Sequence, residues 1–475
     1  MARHISLTLA LLAALALTAP AGAAADRTAE LSIMDDQLLL GETPAEVDRE
    51  MRTFRSLGVD RLRVSAYWNQ VAPTPRSRSK PPGFDGRNPD DPRYAWGSLD
   101  KVVGSAARHG FKVMISISMP APIWATPRTR LPNHVWKPNV SEFANFSEAV
   151  ARRYAALADR YAVSNEPNQP SWLQPQSDGR GAFAPHHYRH MVVASYPRIK
   201  AVDPDSIVLI GELASSGREG RGARVNIRPL RFLRTMACRD ARYRPVRRGR
   251  CKDFKPIPAD AIGHHPYQLL MSPFRRSVHR HDAAIRDGRK LLRVIDRLTR
   301  QGAFRPGLGR RLNVYYTEFG YQTNPPDPFA GVSLSAQRRF LQQAVYVAYR
   351  TPRVKEINQF RLSDGGIVGL GVGRFREFQS GLLFRNRRKK PAYDVFPNPF
   401  VIRGNRFWGQ VRPGEGHTVT VDHKRTRRGR FRLVAQVLTN RLGYFSFRLP
   451  GRRPGYYRYS WGSPPRHSAT LRIKR

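Results

Sequence analysis

"YAVSNEPN", residues 161–168, decides how this chain is read. An apolar run stops at Asn165-Glu166-Pro167, where a carboxylate stands beside an amide and a proline breaks the chain. No regular secondary structure needs that arrangement. A group that transfers protons does.

Outward from this stretch the chain alternates. Short apolar runs read "AELSIM", "RLRVSAYW", "FKVMISISM", "YAVSNEP", "SIVLIGEL", "DAIGHHPY", "LNVYYTEFG" and "EINQFRL", and each of the first seven precedes a candidate helix. "TPAEVDREMRTFRSLG" opens on a Thr43 cap with Pro44 in the first turn and Glu46 completing a capping box, and Gly58 ends it. "SLDKVVGSAARHG" runs from a Ser98 cap to Gly110. "SEFANFSEAVARRYAAL" and "SAQRRFLQQAVYVAYR" each place apolar residues on one face. Further helices fit 184–202, 226–237 and 282–300, and "KKPAYDVF" begins an eighth. Eight strand-helix units predict an α/β fold, a parallel sheet closed into a (β/α)8 TIM barrel over 27–398. An open doubly wound sheet is the alternative, but no G-x-G-x-x-G turn follows the first strand. Polar insertions at 74–97, 169–183, 215–225 and 239–257 mostly follow strands, where a barrel builds its site. After 398 a period of two replaces the helical period, in "HTVTVDH", "RFRLVAQV" and "YFSFRLP". This predicts a small C-terminal antiparallel β-sandwich of about six strands over 399–475, with Trp408 and Trp461 in its core.

The 475-residue chain is 40% hydrophobic, enough for a large core. Its start, "MARHISLTLALLAALALTAPAGAAADR", has a basic head, an apolar run too short to span a bilayer and small residues before a polar one. A secretory signal peptide over 1–25 is expected, cut after Ala23 or Ala25, and with it an extracellular protein. In an exported chain Cys238 and Cys251 are expected to form a local disulfide. The charge, 82 Lys+Arg against 36 Asp+Glu, favours anionic partners such as an acidic polysaccharide or a cell envelope, or else is a solvated surface. Nucleic acid is not expected as a partner, because no helix-turn-helix, zinc-finger or RNP pattern accompanies the charge.

At the C-terminal ends of barrel strands side chains converge. Strand two offers Arg63 and then Tyr67, Trp68 and Asn69; strand four Asn165 and Glu166; strand six His265 and Tyr267; strand seven Glu318. Two glutamates facing each other suit glycosidic bond cleavage, which needs a proton for the leaving oxygen and a carboxylate for the anomeric carbon. Arg63 is expected to pair with the ionised member. Trp68 and Trp124 either stack on sugar faces or pack in the core. Glu212, closing "VLIGEL", is a rival acid lacking the flanking Asn and Pro, and is expected to bond a neighbour or the substrate. His186, His187 and His190 read as a solvated helix start. His264 and His265 face opposite ways, so one of them enters the site.

"SNEPN", "HPY" and "YTEFG" at these strand ends resemble clan A retaining glycoside hydrolases, of which families 5 and 39 are examples. The resemblance covers the barrel and implies Glu166 as acid/base, Glu318 as nucleophile, Asn165 on the sugar 2-hydroxyl, Arg63 and Tyr267 holding the nucleophile, and His265 supporting them. It implies a poly- or oligosaccharide substrate and no cofactor or metal, and a monomer is expected. Clan members often carry a tryptophan platform at strand eight, whereas "INQFRLSDGG" has none. Phe360, Arg361 or Asp364 is expected to take its place, with Arg361 a candidate reader of a uronic acid carboxylate. The alternative is a catalytically degenerate exported barrel that binds carbohydrate or an anionic envelope.

Overall fold

The computed structural model describes residues 28–474 except Glu219, Arg221 and Leu370. The expected signal peptide lies outside the described residues. Eight parallel strands close a barrel: β1 (Glu30–Met34), β2 (Arg61–Tyr67), β3 (Lys112–Ser118), β4 (Ala158–Val163), β5 (Ile207–Ala214), β6 (Ala261–His265), β7 (Asn313–Tyr316) and β8 (Val354–Phe360), with β8 pairing back onto β1. Each overlaps one of the eight apolar runs, although β4 and β8 begin ahead of theirs, at Ala158 and Val354. The barrel is followed by a β-sandwich.

Apart from single turns at Asp36–Leu39 and Trp68–Val71, the α-helices are α1 (Pro44–Ser56), α2 (Gly97–Arg108), α3 (Val140–Tyr154), α4 (Ala184–Val202), α5 (Pro229–Met236), α6 (Gly288–Arg300), α7 (Leu334–Tyr349) and the short α8 (Pro391–Val395). The capping box at Thr43 forms as expected. The expected Ser98 cap does not: α2 already starts at Gly97, so Ser98 lies inside the first turn. Asn139 instead caps α3, accepting from the Glu142 amide at 3.0 Å.

Along each barrel strand the two faces differ in chemistry. Outward residues such as Leu62, Val64, Ile115, Val163, Ile210 and Val314 are buried against the helices. Inward residues are largely polar. At the lower end of the barrel Arg160 reaches Glu356 at 2.9 Å and Glu30 at 2.8 Å, and Arg61 reaches Glu30 at 3.1 Å. Ser32 and Asn358 complete the set, with Ser32 Oγ donating to Glu356 at 2.6 Å and Asn358 Nδ2 donating to Ser32 at 2.8 Å. Burial raises the Glu30 carboxyl, but the Arg160 and Arg61 guanidiniums outweigh it and hold its pKa at about 2.

The sandwich holds eight strands, more than the six expected: β9 (Phe400–Arg403), β10 (Arg406–Gln410), β11 (Thr418–Lys424), β12 (Arg432–Leu438), β13 (Tyr444–Arg448), β14 (Gly455–Trp461) and the short β15 (Arg466–His467) and β16 (Leu471–Ile473). One antiparallel sheet runs β9-β10-β13, the other β12-β11-β14-β15 with β16 also on β14. Trp461 packs in the small core as expected, beside Phe400, Val421 and Tyr459. Trp408 does not. It is fully buried against Tyr346 and Tyr349 of α7 and so joins the barrel's core, because β10 faces that helix. Tyr444 Oη donates to the Ala29 carbonyl at 2.9 Å across the same junction. The Cys238–Cys251 disulfide is formed.

The ionic plug yields a test. Arg160→Met takes from buried Glu356 its ion-paired guanidinium and leaves only the more distant Arg61, and removing one partner of a buried pair costs about 3–5 kcal/mol. The urea midpoint should fall accordingly. A loss within about 0.5 kcal/mol, as for an ordinary surface change, would show the network to be dispensable. Because the Glu30 pKa is depressed, its share of stability is present above about 4.5 and fades as pH falls toward 2.

Candidate active site

At the upper end of the barrel the same inward faces converge on one cluster of charged side chains. Its centre is Arg63 on β2, which has no exposed surface. Arg63 Nε and Nη2 donate to the two oxygens of Glu212 at 3.1 and 3.0 Å, and Nη2 also donates to Asn165 Oδ1 at 2.9 Å. Nη1 lies 3.6 Å from Glu318 Oε2 and contacts the Met34 sulfur. The expected ion pair of Arg63 with Glu318 is present, and a closer pair accompanies it. Its bidentate partner is Glu212, and Glu318 sits at its edge.

Glu212 ends up there through a local irregularity. The β5–β6 register shifts between Gly211 and Leu213, and both Gly211 (φ 103°) and Glu212 (φ 44°) take left-handed backbone. Such a conformation costs a non-glycine residue about 1–3 kcal/mol and persists only where surroundings enforce it. The bulge turns the carboxylate into the barrel, where Ser116 Oγ donates to it at 2.6 Å. A Cβ at position 263 would lie 2.8 Å from Glu212 Cγ, so the neighbouring strand needs Gly263 there. Burial raises the Glu212 carboxyl, but Arg63 and His265 overcome this and hold it far below the usual range.

The Asn-Glu-Pro turn is fixed from both sides. Ser164 N donates to Ile117 O at 2.9 Å, and Glu166 N to Glu212 O at 3.2 Å. Ser164 (φ 63°) and Glu166 (φ 35°) are both left-handed. Asn168, fully buried, locks the far end: its Oδ1 accepts from Ala214 N at 3.0 Å and its Nδ2 donates to Ile227 O at 2.9 Å. Glu166 keeps part of its side chain in solvent.

His265 and Tyr267, from β6 and the residues after it, bridge the carboxylates. His265 Nδ1 is 2.9 Å from Glu166 Oε1 and 3.4 Å from Glu318 Oε2, and its Nε2 is 3.8 Å from Glu212. Burial lowers its pKa, yet three surrounding carboxylates win and raise it to about 9. Tyr267 Oη donates to Glu318 Oε1 at 2.8 Å. Burial pushes Glu318 up and the Glu166 charge adds to this; together they outweigh His265, Arg63 and the Tyr267 hydroxyl, so its carboxyl stands above the usual carboxylate range while no sugar is bound. His264 points outward, with Nε2 2.6 Å from Ala283 O.

One oxygen of Glu166, one of Glu318 and one His265 nitrogen all lie within 4.8 Å of one another. The other close set among the described residues is His186, Cys238 and Cys251, whose sulfurs are consumed by the disulfide. His186 is buried and His187 half-buried, Nε2 2.8 Å from Pro138 O, so the expected solvated histidine cluster reduces to His190.

The aromatic expectations divide. Trp68 is 1% exposed and packs on Trp124, Phe143 and Phe146, so it cannot stack on a sugar. The chain turns helical at Trp68–Val71, and this swings the indole out of the barrel. Trp124 is half-buried in the same cluster, its indole N–H bonded to Pro73 O at 2.9 Å. Phe360, half-exposed at the end of β8, lies beside Tyr267 with ring centroids 6.3 Å apart, and beside Phe378 at 5.4 Å. The Arg361 expectation is corrected. Arg361 is 5% exposed and committed to Asp35, Gln37 Oε1 and the Ser363 and Glu377 carbonyls. Asp364 is likewise committed, to Lys390 at 2.7 Å. Sequence reading missed Asp36, which accepts from Tyr67 Oη at 3.0 Å, and Trp172, whose ring is parallel to that of Tyr67. No motif marks either.

No family model matches the chain, and no curated protein matches its sequence. Solved structures match in fold. A family 39 glycoside hydrolase from Bacteroides cellulosilyticus WH2 aligns with 16% identity over 89% of this chain and 79% of its own, TM-score 0.54. A monomeric β-xylosidase from Caulobacter crescentus CB15 aligns with 14% identity over 89% and 94%, TM-score 0.50. A GH5_18 protein from Streptomyces cattleya aligns with 16% identity over 77% and 78%, TM-score 0.50. At these identities the likeness is one of architecture, and the chain shares the (β/α)8 barrel of families 39 and 5.

Proposed function

We propose that this protein is an exported glycoside hydrolase that cleaves a poly- or oligosaccharide with retention of configuration, Glu318 acting as nucleophile and Glu166 as acid/base. The observation that carries the reading is the approach of the two carboxyl groups, oxygen to oxygen within 4.8 Å. Retaining enzymes hold their pair about 5–5.5 Å apart, whereas inverting ones need room for a water, about 6.5–9.5 Å. The barrel shared with families 39 and 5 supports it.

The roles follow from the neighbours. Glu318 receives Tyr267 O–H and faces the His265 and Arg63 cations, all of which favour its ionised form. Its attack on the anomeric carbon forms the glycosyl-enzyme as the glycosidic oxygen takes a proton from Glu166. Water then attacks the ester carbon, Glu166 takes the water's proton, and Glu318 leaves as carboxylate. Asn165, oriented by Arg63, offers its amide N–H2 to a sugar hydroxyl. Phe360 stands where a sugar face would rest against Tyr267. Export rests on the leader-like residues 1–25, and a monomer and an anionic envelope partner are part of the same proposal.

Glu318→Gln should abolish turnover with the fold intact. Glu166→Ala should lose about 10²–10⁴-fold on substrates with poor leaving groups, and far less on dinitrophenyl glycosides, which need no acid. Full activity in Glu318→Gln on a confirmed substrate would sink the assignment.

A pH test follows from His265. Its pKa is raised from 6.5 to about 9, so the stability it contributes is complete below 6.5 and lost as pH rises through 9. The alkaline limb of kcat/KM and the thermal midpoint should both fall near pH 9. In His265→Gln the alkaline loss of midpoint should disappear; an unchanged profile would show that the histidine carries no charge in the folded protein.

A further inference from the structure

The excess positive charge is not uniform. Residues 399–475 hold 18 Lys and Arg against two Asp and Glu, while the preceding 398 residues hold 64 against 34. In the barrel many of those cations meet carboxylates. In the sandwich one of the two acids, Asp422, lies 3.7 Å from Arg458, and few cations there have an acid to meet.

The larger sheet gives this charge a shape. Val419, Val421, Tyr457 and Tyr459 point into the core, so the alternate residues of β11 and β14 face away from it. Among these the Arg458 guanidinium lies over the Phe431 ring at 4.0 Å, and Lys424 Nζ stands 4.6 Å from the same ring. The Tyr456 ring takes Lys424 at 5.9 Å and Arg472, its cross-strand partner, at 6.0 Å. The Phe431 ring holds the Arg458 guanidinium in place, and with Asp422 3.7 Å from its Nε the remaining N–H groups are the donors for a planar carboxylate. The β11–β12 turn adds exposed Arg425, Arg427, Arg428 and Arg430. Alongside, Leu433 and Leu438 of edge strand β12 are 63% and 69% exposed, apolar surface of the kind that packs against the C–H faces of sugars.

We propose that this sheet face binds a linear polyuronate, a polysaccharide whose carboxylates recur at regular intervals along an otherwise stackable chain. Cations set on successive strands about 4.8 Å apart form a repeating receptor for such a polymer. The choice of a carbohydrate over other polyanions rests on the proposed function; the binding itself needs no turnover.

The test uses the full chain and polygalacturonate as the probe, by titration calorimetry at physiological salt. Binding is expected, absent with the fully methyl-esterified polymer. Replacing Arg425, Arg427, Arg428 and Arg430 by Ser should weaken it about tenfold or more and reduce its salt dependence. Lys424→Gln with Arg472→Gln should weaken it too, and serves as the second variant if the first misfolds by circular dichroism. Replacing four exposed barrel arginines, Arg286, Arg289, Arg293 and Arg300, should change affinity little. Absence of binding, equal losses in the barrel and sandwich variants, or equal binding of duplex DNA or polyphosphate would overturn the proposal. Glu318→Gln should bind the polymer like the parent, which keeps this outcome separate from that of the catalytic reading.

Discussion

A guanidinium with no water around it must be surrounded by acceptors, and Arg63 imposes that demand on the whole upper barrel. Its five N–H groups are met by β5 through Glu212, by the β4 turn through Asn165, by β7 at the margin through Glu318 and by β1 through the Met34 sulfur. Each acceptor carries its own local cost. Glu212 needs left-handed backbone on a bulged strand, and Gly263 must stay bare of a side chain beside it. Asn165 requires a turn with left-handed residues on either side of it. These features are explained together once Arg63 is buried, and separately none of them is.

Much of the barrel was legible because a parallel barrel repeats one rule. Each strand packs a row of branched residues against helices, and that row survives as an apolar run even where the inward row is charged. The charged row was not legible as such. Arg61, Arg160 and Glu356 alternate with apolar residues, and period alone does not tell an inward ion pair from a solvent-facing one; only closure of the sheet does. Side-chain direction at strand ends was the other blind spot. Trp68 and Tyr67 are adjacent, yet one helical turn sends the indole outward into the core and leaves the phenol at the site. Arg361 sits at a strand end too, but the β8 loop folds back and saturates it. Conversely, Glu166, Glu318, Asn165, His265 and Tyr267 come together because each lies on, or just beyond, the upper end of its own strand, a position that sequence fixes once the strands are right, and Arg63 reaches them from within β2.

The charge of the chain divides along the same line. Within the barrel, arginines serve as counter-ions: Arg160 and Arg61 for Glu30, Arg387 for the buried Glu50, Arg353 for Asp296. Buried acids need them, so a high arginine content there has a structural use. The sandwich core is aromatic and aliphatic and asks for no counter-ions. Most of its cations stay at the surface, several of them over rings, while the buried Arg412 is met by Gln410 Oε1 and the Phe396 carbonyl instead of an acid.

The site itself closes on a count of charges. Arg63 and His265 supply two positive charges, and Glu212, held ionised, supplies one negative. Asp36, whose pKa burial raises, stands to one side with Tyr67. Glu166 and Glu318 complete the cluster, and the proposed reaction starts with a single proton on the pair. When that proton leaves with the aglycone, Glu318 has become a neutral ester and Glu166 carries the charge instead. The total is unchanged. A change of net charge among buried groups is expensive, and in the proposed double displacement one negative charge passes between neighbours, with His265 in contact with both.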